Sequence, residues 1–289
     1  MFFTMSTIKP NSGFGKLFGV TSSSIMMSLL LLGASRLLPF ESTWMTWKSN
    51  GSNSLASAAV PVVDTSVPEI AEAVTVRVFG NSGVSSGVLI SRRGNTYQVL
   101  TCDHCIDYNR DRLSGEGFEV LTPDGLRHTA TFVPLDDLQG FDLAVLEFSS
   151  SRNYPIAERA NPHQLSVGDV VYVSGFPRWH WLSQDNIADT SDWGWDAYHL
   201  TRGELQMVLN LPLVEGYSLG YTNDIELGMS GGPIFNDQGH LIGVNGRSKY
   251  PWTGINSFTF VDGSRPSRGQ FGVMESLSWG IPLNEFDSL

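Results

Sequence analysis

Three polar residues stand in surroundings that suit acyl transfer. Ser230 lies in Gly228-Met229-Ser230-Gly231-Gly232-Pro233, between Tyr221-Thr222 and the apolar pair Ile234-Phe235. Glycines on both sides let the chain turn tightly enough to expose the Oγ and to aim backbone N–H groups inward, as a nucleophile and its oxyanion hole require. His104 ends the run Leu100-Thr101-Cys102-Asp103-His104 and is followed by Cys105. Its imidazole titrates near neutrality and is suited to take the serine proton. Asp142 heads Asp142-Leu143-Ala144-Val145-Leu146. A carboxylate buried there beside an imidazole would fix its tautomer and stabilise the imidazolium. Each residue alone has a plainer reading: a Gly-rich surface turn, a histidine at a loop edge, a turn-forming Asp at a strand start. Together they make a nucleophile, a base and a group that orients the base.

Cys102 and Cys105 form a C-x-x-C, the spacing of half a metal site or of a redox pair. They are the only two cysteines of the chain. With no second cluster visible, neither a metal nor a cofactor is expected.

These side chains need a scaffold that holds loops still. Short alternating or β-branched runs recur at 74–79, 87–91, 96–101, 127–133, 142–148, 170–174, 199–209 and 240–245. No long segment of period 3.6 separates them, so an antiparallel all-β fold is expected rather than βαβ units. Arg93-Gly94-Asn95 and Asp237-Gln238-Gly239 supply turns between neighbouring strands, and 155–161 suits a crossover between two halves. Trp179, Trp181, Trp193 and Trp195 fall in a polar stretch, 177–197, that reads as an insertion packing a small core of its own. The alternative is a set of loop aromatics that hold a substrate or partner.

The chain has 289 residues, 41% hydrophobic and 16% charged, with 30 Gly, 14 Pro and a net charge of −11. That is enough apolar material for a sizeable core and too little charge for disorder throughout. Lys9, Lys16, Arg36 and Lys48 outnumber Glu41 and Asp64 in the first 66 residues, so the acidity belongs to the remainder. No basic footprint exists for a phosphate backbone, and nucleic acid is not an expected partner.

Lys9 and Lys16 precede an uncharged apolar stretch at 17–34, the order of an export signal. Its length also sits at the lower edge of a bilayer span, which keeps a retained membrane anchor open; the alternative is an amphipathic or buried helix of a soluble protein. Ala56-Ser57-Ala58 is a small-x-small cleavage pattern far downstream. The expected organisation is a signal or anchor at 1–38, a flexible linker at 39–66, and two β domains at 67–158 and 159–289.

The motifs occur in the order His, Asp, Ser, and the chain resembles the chymotrypsin-like (trypsin superfamily) serine peptidases of the bacterial type. The matching segments are Ser86-Gly87-Val88-Leu89-Ile90, Leu100 through Cys105, Asp142 through Leu146, Gly228 through Pro233, and Gly239-His240-Leu241-Ile242-Gly243-Val244-Asn245. The resemblance implies two antiparallel six-stranded β-barrels with the active site in the cleft between them. It makes His104 the base, Asp142 its orienting partner, Ser230 the nucleophile, and the N–H groups of Gly228 and Ser230 the oxyanion hole. The implied activity is exported endopeptidase action on a protein or peptide, through an acyl-enzyme and without a cofactor. The alternative is a catalytically silent trypsin-like fold acting as a binding module.

Some positions depart from the family pattern. Cys102 and Asp103 replace the small residues that commonly precede the family's His, and Cys105 matches a cysteine whose usual partner, near Ser85, is missing. Met229 stands where digestive members carry the Asp that pairs with a new N-terminus, so activation by such a cleavage is not expected. Six residues before Ser230, Asp224 occupies the position of the carboxylate that receives Arg or Lys in trypsin-type members. Asn245, Gly246 and Arg247 form the opposite wall of that expected pocket, and Arg247 sets a cation against Asp224.

Overall fold

The structure, a computed structural model, describes residues 65–80, 83–106, 117–160, 165–283 and 286. The apolar segment 17–34 and nearly all of the 39–66 linker lie outside the described residues. No helix among the described residues is long and apolar enough to cross a membrane.

A helix, α1 (Val67–Val74), leads into β1 (Thr75–Gly80). Ser66 and Glu69 close its first turn reciprocally, and Pro68 stands where no intrahelical N–H is needed. The sequence placed Val74 in a strand; it is instead the last helical residue, buried with Ala71 on the helix's inner face. Then follow β2 (Gly83–Arg93), β3 (Thr96–Thr101), the single turn α2 (Asp103–Ile106), β4 (Phe118–Leu121), β5 (Arg127–Val133) and β6 (Ala144–Ser149). These strands close into a barrel of order β1-β2-β3-β6-β5-β4. The turn between β2 and β3 sits at Gly94, whose φ of 60° suits glycine.

A second barrel has the order β10-β11-β14-β13-β12-β7. Its members are β7 (Val170–Gly175), β10 (His199–Val208), β11 (Leu219–Tyr221), β12 (Pro233–Phe235), β13 (Leu241–Arg247) and β14 (Ser278–Pro282). All pairings in both barrels are antiparallel. The fold is thus all-β, with two closed six-stranded barrels. A short helix, α3 (Arg268–Met274), precedes β14.

Side-chain alternation explains why several strands are apolar on both faces. Along β6, Ala144, Leu146 and Phe148 fill the first barrel with Val76, Val78 and Val99. Val145 turns the other way and joins Val88 and Leu100 against Phe235, Leu241 and Val244 of the second barrel. The second barrel has its own core, including Val173, Leu205, Tyr221 and Ile234. The seam between barrels is therefore a continuous apolar layer, and the loops at its edge are held from both sides.

The Trp-bearing insertion contains a hairpin, β8 (Trp179–Ser183) with β9 (Asn186–Asp189). Within it the His180 and Trp193 rings lie 5.4 Å apart, so the segment does pack part of itself, while Trp195 stacks on Tyr198 and meets Phe176 edge-on, both just outside it. Trp181 stays 59% exposed. Arg77 of β1, fully buried, anchors the insertion: its guanidinium donates to the carbonyls of Gly194 and Thr190, both at 2.9 Å, and to Thr190 Oγ1 at 3.0 Å. Burial, reinforced by nearby Arg127, brings its pKa down to about 10. Arg77→Met would leave those acceptors unmatched and should cost ~1–3 kcal/mol of stability, read as an earlier urea midpoint. An unchanged midpoint would show that the insertion does not depend on Arg77.

Candidate active site

β3 ends at Thr101, and the α2 turn that follows carries His104 beside the start of β6. Asp142, only 5% exposed, binds this turn twice. Its Oδ1 accepts the His104 backbone N–H at 2.8 Å, and its Oδ2 accepts Nδ1–H at 2.5 Å. The second bond leaves Nε2 with the lone pair. The backbone bond fixes the turn itself, so both the ring and its support are oriented by one carboxylate.

The Tyr217 hydroxyl also donates to Asp142 Oδ2. Burial would raise the Asp142 carboxyl, but the hydrogen bond and charge of His104, joined by Tyr217, hold it below the ordinary Asp range. Burial would lower the His104 imidazole, yet the bond and charge of Asp142, with Glu215 adding to them, raise it above its ordinary value. Tyr217 is pushed well up by its own burial and then by Asp142, so it remains a donor. Arg247 lies over the Tyr217 ring at 3.9 Å and donates to Glu215 Oε2 at 2.8 Å.

Ser230 comes from the loop between β11 and β12. Gly228 and Gly231 have φ of 99° and 84°. A Cβ on Gly228 would stand 2.6 Å from the Phe176 carbonyl, and one on Gly231 2.2 Å from that of Ser86. Both positions thus require glycine for backbone conformation and for room. Among the described residues, neither the Gly228 nor the Ser230 N–H is donated to a protein acceptor. The Ser230 hydroxyl donates to the Gly246 carbonyl at 3.3 Å.

Ser86 joins the two halves of the site. Its N–H donates to the Ser230 carbonyl at 2.9 Å, its Oγ donates to that of Gly228 at 2.9 Å, and its own carbonyl accepts Thr101 Oγ1 at 2.7 Å. The serine loop is thereby tied to the strand end that carries the histidine. In the sequence Ser86 stands out only as the first residue of the matching segment 86–90, and nothing marks Tyr217. Tyr217 lies 75 residues from Asp142, and no fixed spacing signals the pair.

The expected pocket residues have partners of their own. Asp224 is 88% exposed and accepts from Lys249 Nζ at 2.6 Å, so this geometry offers no buried carboxylate to a substrate guanidinium. Asn245 is fully buried: its Nδ2 donates to the Met229 carbonyl at 3.1 Å and its Oδ1 accepts Tyr221 hydroxyl at 2.5 Å. It therefore braces the serine loop. A Cβ on Gly246 would strike the Tyr217 hydroxyl at 2.1 Å, and the Arg247 charge is spent on Glu215. Met229 is buried in the second barrel. A cavity of about 480 Å³ lies beside His104 and Asp142, lined also by Asp103, Phe132, Leu135, Phe141 and Glu215 among others. Cys102 and Cys105 are joined by a disulfide, with Cα atoms 5.1 Å apart.

Comparison with known proteins agrees with the fold. The trypsin-like peptidase domain family matches residues 85–244. The putative protease Do-like 14 of Arabidopsis thaliana is 29% identical over 211 residues, 68% of this chain and 42% of that protein. The serine protease Do-like HtrA of Lactococcus lactis is 28% identical over 207 residues, 71% of this chain and 43% of that protein. This chain thus spans about two fifths of the length of these relatives. The crystal structure of the serine endoprotease from Yersinia pestis shares the fold with a TM-score of 0.50 at 23% identity, covering 77% of this chain and 63% of that one. The matched region runs from Ser85, through the segments bearing His104, Asp142 and Ser230, to the middle of β13, and on that span the chain belongs to the trypsin-like peptidase family.

Proposed function

We propose that this chain is a serine endopeptidase that cleaves proteins or peptides through a Ser230–His104–Asp142 triad and an acyl-enzyme. The observation that carries the reading is the double grip of Asp142 on His104, through the backbone N–H and through Nδ1. That grip fixes the tautomer in which Nε2 carries the lone pair, the form that a general base facing Ser230 requires.

In the reaction the Ser230 hydroxyl leaves the Gly246 carbonyl, gives its proton to His104 Nε2 and attacks the peptide carbonyl. The tetrahedral oxyanion is received by the N–H groups of Gly228 and Ser230. His104 then passes its proton to the departing amine, and the acyl-enzyme remains. Water, deprotonated by His104 in turn, releases the acid and restores Ser230. Stoichiometric labelling of Ser230 by a fluorophosphonate tests the reading, because it needs both an activated hydroxyl and an assembled oxyanion hole. Absence of labelling in folded protein would leave a binding module instead.

The position of Asp224 bears on specificity. Since its carboxylate is exposed and held by Lys249, Asp224→Ala should leave the P1 profile of a peptide library unchanged. A shift away from basic P1 residues would return Asp224 to the pocket. For localisation, the basic residues ahead of the apolar segment 17–34 support export. Full-length chain should appear outside the cytoplasm or in the membrane fraction, and a chain lacking 17–34 should remain inside. Identical fractionation of the two would remove the export reading.

A further inference from the structure

The cysteine pair has no part in the reaction above, yet it brackets the residue on which that reaction turns. Cys102 precedes His104 by two positions and Cys105 follows it by one, and the tight α2 turn brings both sulfurs to the imidazole. Cys102 Sγ lies 3.7 Å and Cys105 Sγ 3.9 Å from Nε2, and the three atoms fall within 4.8 Å of one another. We propose that reduction of this disulfide by a dithiol turns Cys102, His104 and Cys105 into a three-ligand zinc site that withdraws the base from catalysis. The role of His104 as base is taken from the reading above; the metal site itself stands without it.

The geometry is close to what zinc requires. With Zn–S near 2.3 Å and Zn–N near 2.0–2.1 Å at tetrahedral angles, the N···S edges are about 3.6 Å and the S···S edge about 3.8 Å. Both N···S edges are already near that length. The bonded sulfurs make the one edge that is too short, and reduction releases it.

The chemistry of the donors points the same way. Two thiolates and one imidazole are a set that favours zinc over hard cations, and three protein ligands leave a fourth position for water. Asp142 already holds Nδ1–H, so Nε2 presents its lone pair outward, as metal-binding histidines do when a carboxylate holds their other nitrogen. The Cys105 N–H donates to the Cys102 carbonyl at 3.2 Å, which keeps the turn closed when the sulfurs part. Both cysteines are buried, while the His104 side chain is 44% exposed and gives the ion a route in.

The steps balance. The disulfide takes two electrons and two protons from the dithiol, which becomes a disulfide. Zinc binding then releases the two thiol protons to solvent and occupies the Nε2 lone pair. That lone pair is the one Ser230 needs, so metal binding and acylation exclude each other.

The test uses the full chain, oxidised or reduced with a dithiol that is then removed, and titrated with Co²⁺ followed by Zn²⁺. The reduced protein should take up one equivalent of Co²⁺ with a thiolate-to-cobalt charge-transfer band in the near ultraviolet, and Zn²⁺ should abolish the band. The oxidised protein, and reduced protein whose thiols have been alkylated, should show no band. In parallel, Zn²⁺ should bring fluorophosphonate labelling of reduced protein to background, a chelator should restore it, and labelling of Cys102→Ser/Cys105→Ser should be insensitive to Zn²⁺. No band in the reduced protein, or an equal band in the oxidised one, overturns the site. A band without loss of labelling overturns the withdrawal of the base. Failure of labelling in every state would instead fall on the proposed activity, while the cobalt titration would still decide the site.

Discussion

Ser230→Ala is expected to lower kcat about 10⁶-fold, His104→Ala by a similar factor, and the double variant little further. The reason lies in how the two act. Without His104 the Ser230 hydroxyl keeps its proton, and without Ser230 the His104 lone pair has no attacking oxygen to activate. Each variant removes the same step. What survives is the environment of the Gly228 and Ser230 N–H groups, worth roughly 10³-fold or more over water. Steady-state kinetics on a peptide ester, with circular dichroism to verify folding, measures these factors. Losses that multiply would mean that the two residues act independently, and the proposed mechanism would fall.

That much of the site was legible follows from how local its signals are. The tight turn around Ser230 needs glycines within two residues, and Gly228, Gly231 and Gly232 announce it. The strand before His104 and the one after Asp142 were legible because Tyr97, Val99, Ala144, Leu146 and Phe148 fill the first barrel while Leu100 and Val145 face the seam. β3 and β5 fall on the expected residues 96–101 and 127–133. By contrast β4, β11 and β14 span only three to five residues and show no period. They are strands because neighbouring strands offer them hydrogen bonds.

What the sequence does not show is contact made through space. Ser86 holds the Ser230 loop and Tyr217 holds Asp142 from distant points in the chain, and no spacing predicts such partners. Asp224 was placed by counting back from Ser230, which assumes a loop of fixed path. In the structure that carboxylate is 88% exposed and paired with Lys249, and the P1 library test decides whether it reads the substrate. The neighbourhood of the cysteines is likewise spatial: a single helical turn brings His104 Nε2 to 3.7 Å from Cys102 Sγ and 3.9 Å from Cys105 Sγ.

Asp142→Asn carries the second large effect, about 10⁴-fold in kcat, with the fold intact. The Tyr217 hydroxyl donates to Oδ2 and so needs an acceptor there, as does His104 Nδ1–H. The His104 backbone N–H needs another at Oδ1. A carboxylate supplies all three, but an amide has only one acceptor oxygen. If that oxygen stays with Tyr217, the amide NH₂ faces the backbone N–H; if it stays with the backbone, NH₂ faces the tyrosine and the ring. In the second case Nδ1 must become the acceptor, and the proton moves to Nε2, the atom that has to receive one from Ser230. The variant should also shift the acid limb of kcat/KM. In the parent protein Asp142 raises the His104 pKa, so activity falls as pH drops through a value above about 6.5. Without the carboxylate the imidazolium loses its partner, and that limb should move to lower pH. An acid limb that stays in place after Asp142→Asn would show that the ionisation governing activity is not that of His104.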